Sequence, residues 1–132
     1  IPEAYLMLLE HPDLPLNDKP ALQKSLALAL KGVRSFARVF SLSLSHVYRI
    51  EGWNAQLNGQ SAQAQKFWAK AMGEADKAGK TYEKGLVYFD LGRFAPQSDP
   101  QRKTHLEQAY ALFEKIGAQY YMQRTRTELD RI

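Results

Sequence analysis

The stretch SAQAQKFWAKAMGEADKAGKT, Ser61 to Thr81, decides the fold. Its apolar residues recur at steps of three and four, which places them on one face of an α-helix; they are Ala64, Phe67, Trp68, Ala71, Ala75 and Ala78. Alanines beside an aromatic ridge let a second helix approach closely. Gly79 directly follows the last periodic residue, the place where a left-handed glycine ends a helix. We therefore predict a helix with a Ser61 cap, a turn at Gly79, and a new helix starting at Lys80 and Thr81.

The end of this stretch, GEADKAGKT, contains the Gly-Lys-Thr that closes a nucleotide-binding P-loop. A P-loop has four residues between its two glycines, so that successive backbone N–H groups surround the phosphates. Here five residues separate Gly73 from Gly79, and Glu74 stands where the first glycine belongs. The preceding FWAKAM has a helical period, whereas a P-loop follows a buried strand. We interpret GEADKAGKT as the elbow of an antiparallel helix pair.

Composition indicates an ordinary globular domain. The chain has 132 residues, of which 45% are hydrophobic and 24% charged, and this length corresponds to about one domain. There is no cysteine, so a disulfide framework and a thiolate metal site are both excluded, and the cytoplasm is the natural setting. The N-terminal IPEAYLMLLE lacks a basic region and is too short for a membrane span. Because the sequence starts at Ile1, we expect a piece of a longer protein.

Helical periods and breaks continue along the rest of the chain. Before the central stretch we predict a short helix from Pro2 to about Glu10, a long apolar helix Ala21–Phe40, a junction at SLSLS, and a helix capped by Ser45 that closes at the Asn58-Gly59 turn. After it we predict a helix to Gly92, an exposed loop, a helix opened by Asp99 and Pro100 that ends at Gly117, and a last helix. The predicted fold is therefore all-α.

Comparison of segments shows a repeat. Gly52 and Gly59 are followed by Ala64, Trp68 and Ala71, and Gly85 and Gly92 are followed by Ala109, Phe113 and Ile116. Matching glycines of the two segments are 33 residues apart, whereas the matching residues that follow them are 45 apart. The second segment therefore carries an insertion of 12 residues. These spacings resemble the tetratricopeptide repeat. The resemblance implies antiparallel helix hairpins stacked as a short superhelix, because each hairpin buries only one face alone.

The predicted domain organisation follows from this repeat. Residues 1–132 form a single helical-repeat domain: N-terminal helices in 1–45, repeat one in 46–79, repeat two in 80–117 with an inserted loop at 93–104, and a capping helix in 118–132.

A narrower resemblance covers about Arg49 to Leu129. The segments LGR, Leu91–Arg93, and LEQAYALFEKIGA, Leu106–Ala118, are similar to the C-terminal helical repeats of large bacterial signalling proteins. Those proteins join a cyclase, kinase or DNA-binding activator domain to a switch ATPase and end in tetratricopeptide-like repeats. The catalytic motifs of that family are not in this sequence. The resemblance implies the sensor or interaction end of such a protein.

Four residues are candidate contacts for a partner. Trp53 and Tyr121 are expected as exposed anchors, because aromatic residues dominate interface hot spots. Tyr88 is expected in the same groove between helices. Arg93 follows Leu-Gly at a helix end, and packing against the adjacent loop is favoured over ligand contact. Helical spacing predicts that most other aromatic side chains belong to the core.

The sequence gives no sign of catalysis or of a cofactor. His11, His46 and His105 lie far apart and share no metal-binding spacing with carboxylates. No GxSxG elbow is present. We therefore expect that the protein binds no metal or cofactor and is not an enzyme.

Three hypotheses for function remain open. The first is a regulatory module that binds a protein, a peptide or other domains of its parent, with a homodimer as a further option. The second is a small-molecule sensor whose pocket is lined by the helix Ala21–Phe40. The third, less favoured, is nucleic-acid binding through Arg124, Arg126 and Arg131, which would lose affinity steeply with salt.

Overall fold

The computed structural model describes residues 2–14, 18–39 and 44–132. Within these ranges there are seven α-helices and no strand, which confirms the all-α class. The helices are α1 (Pro2–Glu10), α2 (Lys19–Val39), α3 (Leu44–Leu57), α4 (Ser61–Ala78), α5 (Thr81–Arg93), α6 (Gln101–Ile116) and α7 (Gln119–Asp130). Contacts between residues divide the chain into two compact units, Ile1–Phe67 and Trp68–Ile132, which meet within α4.

Two helix ends confirm the predicted glycine turns. At the end of α4, Gly79 has a φ of +64°, its N–H donates to Asp76, and the N–H of Lys80 donates to the carbonyl of Ala75. At the end of α6, Gly117 has a φ of 70°, with the same pair of backbone hydrogen bonds. These are Schellman motifs, in which a left-handed glycine satisfies the last carbonyls of the helix. The sequence GEADKAGKT is thus a helical elbow.

In the first unit, α1 packs against α2 and α3, and α2 packs against α3. Polar contacts also join α1 to α3. Glu3 accepts a hydrogen bond of 3.2 Å from the buried guanidinium of Arg49 and lies 3.2 Å from His46 Nε2. These groups lower the pKa of Glu3 to about 2, chiefly through the His46 hydrogen bond and then through the charge of Arg49.

In the second unit, α5 and α6 form a close antiparallel pair, and α7 packs on α6. A Cβ built on Gly85 would lie 2.7 Å from Phe113 Cε1, and one built on Gly92 would lie 2.6 Å from Leu106 Cγ. From Gly85 to Gly92 the chain advances seven residues along α5, whereas the residues that they meet on α6 go back by seven, from Phe113 to Leu106. The two helices therefore run in opposite directions. The glycines bring the two backbones close enough to bury Leu106 and Phe113 completely.

The aromatic ridges lie in the interior, as helical spacing predicts. Trp68 is 1% exposed and Phe113 is fully buried. Phe94, in the loop after α5, stacks on Trp68 with ring centres 5.9 Å apart. Ile116, which we placed at the matching inner position of the second repeat, is 45% exposed instead.

Several predicted boundaries need correction. Helix α3 begins at Leu44, so Ser45 is a buried helical residue and not an N-cap. Ser61 is the first residue of α4, and the carbonyl of Gln60 accepts the first intrahelical bond, from Ala64. The inserted loop predicted at 93–104 spans only 94–100, because α5 extends to Arg93 and α6 begins at Gln101. The junction residues Ser41 to Ser43 lie outside the described residues.

Candidate interaction surface

Three exposed apolar side chains lie at one end of the second unit. Tyr82 lies in the first turn of α5, Ile116 ends α6, and Tyr120 lies in the first turn of α7; they are 41%, 45% and 58% exposed. Because α5 and α6 are antiparallel and a short turn joins α6 to α7, these positions fall at the same end of the helices. We call this set, Tyr82, Ile116 and Tyr120, the tyrosine patch.

Tyr121 lies at the centre of the ring contacts that support the patch. Its ring centre is 6.0 Å from that of Tyr82 and 5.0 Å from that of Tyr120, both edge-on. It also stacks on Phe113 at 5.3 Å and meets Phe89 edge-on at 5.7 Å. Edge-on and offset pairs of this kind are favourable, so the exposed tyrosines rest on a packed layer of rings.

Arg124 extends the surface along α7. Its guanidinium carbon lies 5.1 Å from the centre of the Phe89 ring and 6.0 Å from that of Tyr120. One face of α7 carries a groove of about 340 Å³, lined by Tyr120, Gln123, Arg124, Thr127, Glu128 and Arg131. The patch and the groove share Tyr120, so together they form one continuous surface.

A buried arginine holds α7 in place behind this surface. Arg102 is 5% exposed, and its Nη1 donates to the carbonyls of Gly92, Arg93 and Ala95 at 3.0–3.1 Å. Its Nη2 lies 3.2 Å from Glu128 Oε2 on α7. A cation is favourable at the carbonyl end of a helix, and this one donates to the carbonyls of the last two residues of α5 and of Ala95 in the following loop. Arg102 therefore couples the end of α5 to α7.

Of the four predicted contact residues, Tyr88, Arg93 and Tyr121 lie in the second unit. Tyr121 is partly buried and carries the patch from below, so it is not the free-standing anchor that we expected. Arg93 is nearly buried, pairs with Asp90 at 3.0 Å, and lies 4.1 Å from the centre of the Phe94 ring. This confirms that Arg93 packs against its adjacent loop.

Tyr88 and Trp53 both pack against other residues of their own unit. Tyr88 is half-buried and stacks on His105 with ring centres 5.9 Å apart. The exposed position expected for Trp53 is wrong: the side chain is 5% exposed, and its indole N–H donates to Glu10 Oε1 at 2.9 Å. Trp53 belongs to the first unit, whereas the residues of the tyrosine patch belong to the second.

Sequence reasoning missed Tyr82, Ile116 and Tyr120 as surface residues, and it named Arg124 only as a candidate contact for nucleic acid. Tyr82 and Tyr120 were assigned with the aromatic residues that helical spacing favours for the core. A signal was available, because each is an apolar residue in the first or last turn of a predicted helix. Side chains in terminal turns have fewer neighbours along the helix to cover them.

The first unit contains a separate cavity of about 710 Å³. Its lining includes Arg34, Glu51, Asn54, Gln60 and Phe67. Arg34 Nε donates to Glu51 Oε1, and this hydrogen bond raises the pKa of Arg34. The Glu51 side chain is 8% exposed, whereas that of Arg34 is 49% exposed. The cavity is therefore polar, with a buried carboxylate neutralised by a half-exposed guanidinium.

The described part of the chain holds neither a candidate metal cluster nor a helix that could span a membrane. Across residues 2–14, 18–39 and 44–132, no cluster of three or more histidines and carboxylates could hold a metal ion. No helix in those same ranges is long and apolar enough to cross a lipid bilayer.

Comparisons with protein-family models, curated proteins and solved structures found no match. The resemblance to tetratricopeptide-like repeats of signalling proteins stays a prediction from the sequence.

Proposed function

We propose that this chain is a non-catalytic protein-interaction module, and that the tyrosine patch is the centre of its binding surface. The observation that carries the proposal is the exposure of Tyr82, Ile116 and Tyr120 at one end of α5, α6 and α7, above a packed layer of rings. Tyrosine and arginine are enriched at protein interfaces, whereas lysine and glutamate are depleted there.

The support beneath the patch favours binding. Ordering a mobile side chain on association costs about 0.5–1.5 kcal/mol. Contacts with Tyr121 already restrict the rings of Tyr82 and Tyr120, so less of this cost remains to be met when a partner arrives. A restrained aromatic surface therefore suits recognition of a peptide or a protein domain.

The wider setting that we propose comes from the sequence. The resemblance of Arg49–Leu129 to the helical repeats of bacterial signalling proteins favours a regulatory role within a larger cytoplasmic protein. The partner would then be another protein, a peptide, or another domain of the same parent, and a second copy of the chain is a further option. The single-domain organisation of residues 1–132 belongs to this proposal.

The test is binding of peptides selected on the whole chain. A twelve-residue random peptide library displayed on phage is selected against the wild-type chain, and the affinities of enriched peptides are measured by fluorescence anisotropy. Tyr120→Ala and Tyr82→Ala should each weaken binding about tenfold or more, as hot-spot residues do.

Leu28→Ala is the matched control, because Leu28 is 66% exposed on α2 in the other unit. The affinity of Leu28→Ala for the selected peptides should equal that of the wild type. The proposal is wrong if no peptide is enriched, or if folded Tyr82 and Tyr120 variants bind as the wild type does.

A second candidate function is a small-molecule sensor, and the cavity of the first unit favours it. Ligand pockets usually measure about 300–1,000 Å³, and the cavity falls within this range. Arg34 on α2 forms part of its lining, as the sensor hypothesis requires. Thermal unfolding with a panel of polar metabolites tests this function: a ligand that stabilises the wild type but not Glu51→Gln supports it, and no stabilisation counts against it.

A further inference from the structure

Arg124 is placed to bind a carboxylate that the described residues do not supply. Its guanidinium lies over the rings of Phe89 and Tyr120, and no ion pair to it occurs among residues 2–14, 18–39 and 44–132. A guanidinium has five N–H donors in its plane, so contact with ring faces leaves those donors for other partners. The rings restrain the side chain before a ligand arrives.

The other basic side chains on and just after α7 are already engaged. Arg131 Nη1 lies 3.2 Å from Glu128 Oε1, and Arg126 Nη2 donates to the Tyr110 hydroxyl at 2.6 Å. The carboxylate of Glu128 pairs with both Arg131 and Arg102. It therefore already balances part of the charge of two guanidinium groups other than that of Arg124. The groove thus has an excess of positive charge centred on Arg124.

An apolar surface lies directly beside this charge. Tyr120 belongs both to the tyrosine patch and to the groove that Arg124 lines. A ligand that covers both must carry a negative group and an apolar group within a few residues of each other. Arginine recognises carboxylates through paired hydrogen bonds, and a ring-stacked arginine is already oriented for them.

We propose that the groove of α7 binds an acidic segment of a partner protein, with an Asp or Glu side chain on Arg124 and a neighbouring apolar side chain on the tyrosine patch. This inference rests on the proposed interaction function and adds the chemistry of the partner. A nucleic acid fits less well, since a phosphate backbone needs several free cations in a row and Arg126 and Arg131 already have partners.

The experiment uses the library selected on the whole chain. Enriched peptides should contain Asp or Glu within a few residues of Leu, Phe, Tyr or Trp. Arg124→Met should weaken their binding about tenfold, the loss that follows from one charge-assisted hydrogen bond. Arg124→Lys should recover part of this loss, because it keeps the charge but not the paired geometry.

Two comparisons measure the contribution of the peptide carboxylate to binding at Arg124. Replacing the acidic residue of the peptide by its amide should weaken binding to the wild type but have little further effect on Arg124→Met. Arg126→Met is the matched control on the same helix and should bind as the wild type does. Far-ultraviolet circular dichroism verifies that each variant is folded.

Each other outcome is decisive. Peptides that need Tyr82 and Tyr120 but show no acidic preference would overturn this inference and leave the interaction function intact. No enrichment at all would overturn both. Binding of a labelled twelve-nucleotide single strand more tightly than any peptide, with a steep loss of affinity in salt, would assign the surface to nucleic acid instead.

Discussion

Gly92→Ala tests the close approach of α5 and α6. The new Cβ would lie 2.6 Å from Leu106 Cγ, 2.7 Å from its Cδ2 and 3.2 Å from its backbone nitrogen. Leu106 is fully buried, and its backbone cannot move without moving α6. Overpacking of a core costs about 1–3 kcal/mol. The gain in helix propensity is small here, because Gly92 precedes the last residue of α5.

We therefore expect Gly92→Ala to lower the free energy of unfolding by about 2 kcal/mol. Gly85→Ala should cost less, about 1 kcal/mol, because a mid-helix alanine regains roughly 1 kcal/mol of propensity. The assay is urea denaturation followed by circular dichroism.

Gly73→Ala is the matched control, because Gly73 lies within α4 with no atom within 4 Å of the added Cβ. It should stabilise the chain by about 0.5–1 kcal/mol. Adding Leu106→Ala to Gly92→Ala should cost less than the sum of the single changes, since the new methyl fills part of the space. If Gly92→Ala and Gly73→Ala change stability in the same direction, the packing described for this helix pair is wrong.

Three other changes test local interactions by the same assay. The depressed pKa of Glu3 means that its carboxylate stabilises the fold above pH 4.5 and loses this effect as pH falls through about 2. Glu3→Gln should therefore cost about 1 kcal/mol at pH 7, since solvent screens this part-exposed group, and little near pH 2. If Glu3→Gln and the wild type have the same free energy of unfolding at pH 7, this account is contradicted. Arg102→Met should cost about 2–3 kcal/mol, because backbone carbonyls lose a charged donor and Glu128 loses one of its two guanidinium partners. A loss below about 1 kcal/mol would argue against its coupling role. Asp99 accepts a hydrogen bond from the backbone N–H of Gln101 at 2.9 Å, so Asp99→Ala should cost about 1 kcal/mol, whereas Ser98→Ala should leave the midpoint unchanged.

The features that sequence predicted best are those with local causes. Gly79 and Gly117 end helices because the residue after a helix often takes a left-handed conformation, which glycine adopts readily. Only the few residues around each turn decide this. The Asp99 side chain accepts a hydrogen bond from the backbone N–H of Gln101 at the start of α6, but the N-cap residue is Pro100, one position later than predicted. The burial of Trp68 also follows from spacing along a single helix.

The features that sequence missed depend on distant residues. Trp53 is buried and bonded to Glu10, which is 43 residues away in sequence, and no period along α3 reveals that contact. Arg102 is polar and stands near a loop, yet the carbonyls at the end of α5 draw it inside. The exposure of Tyr82 and Tyr120 likewise depends on how three helix ends come together. Side-chain placement across elements therefore required the structure.

The most direct test of the interaction surface is a nuclear magnetic resonance titration of the isotope-labelled chain with a selected peptide. The account predicts that the largest backbone amide shifts occur around Tyr82, Ile116, Tyr120 and Arg124. Shifts confined to residues 34–67, where the polar cavity lies, would contradict it and favour the sensor function instead.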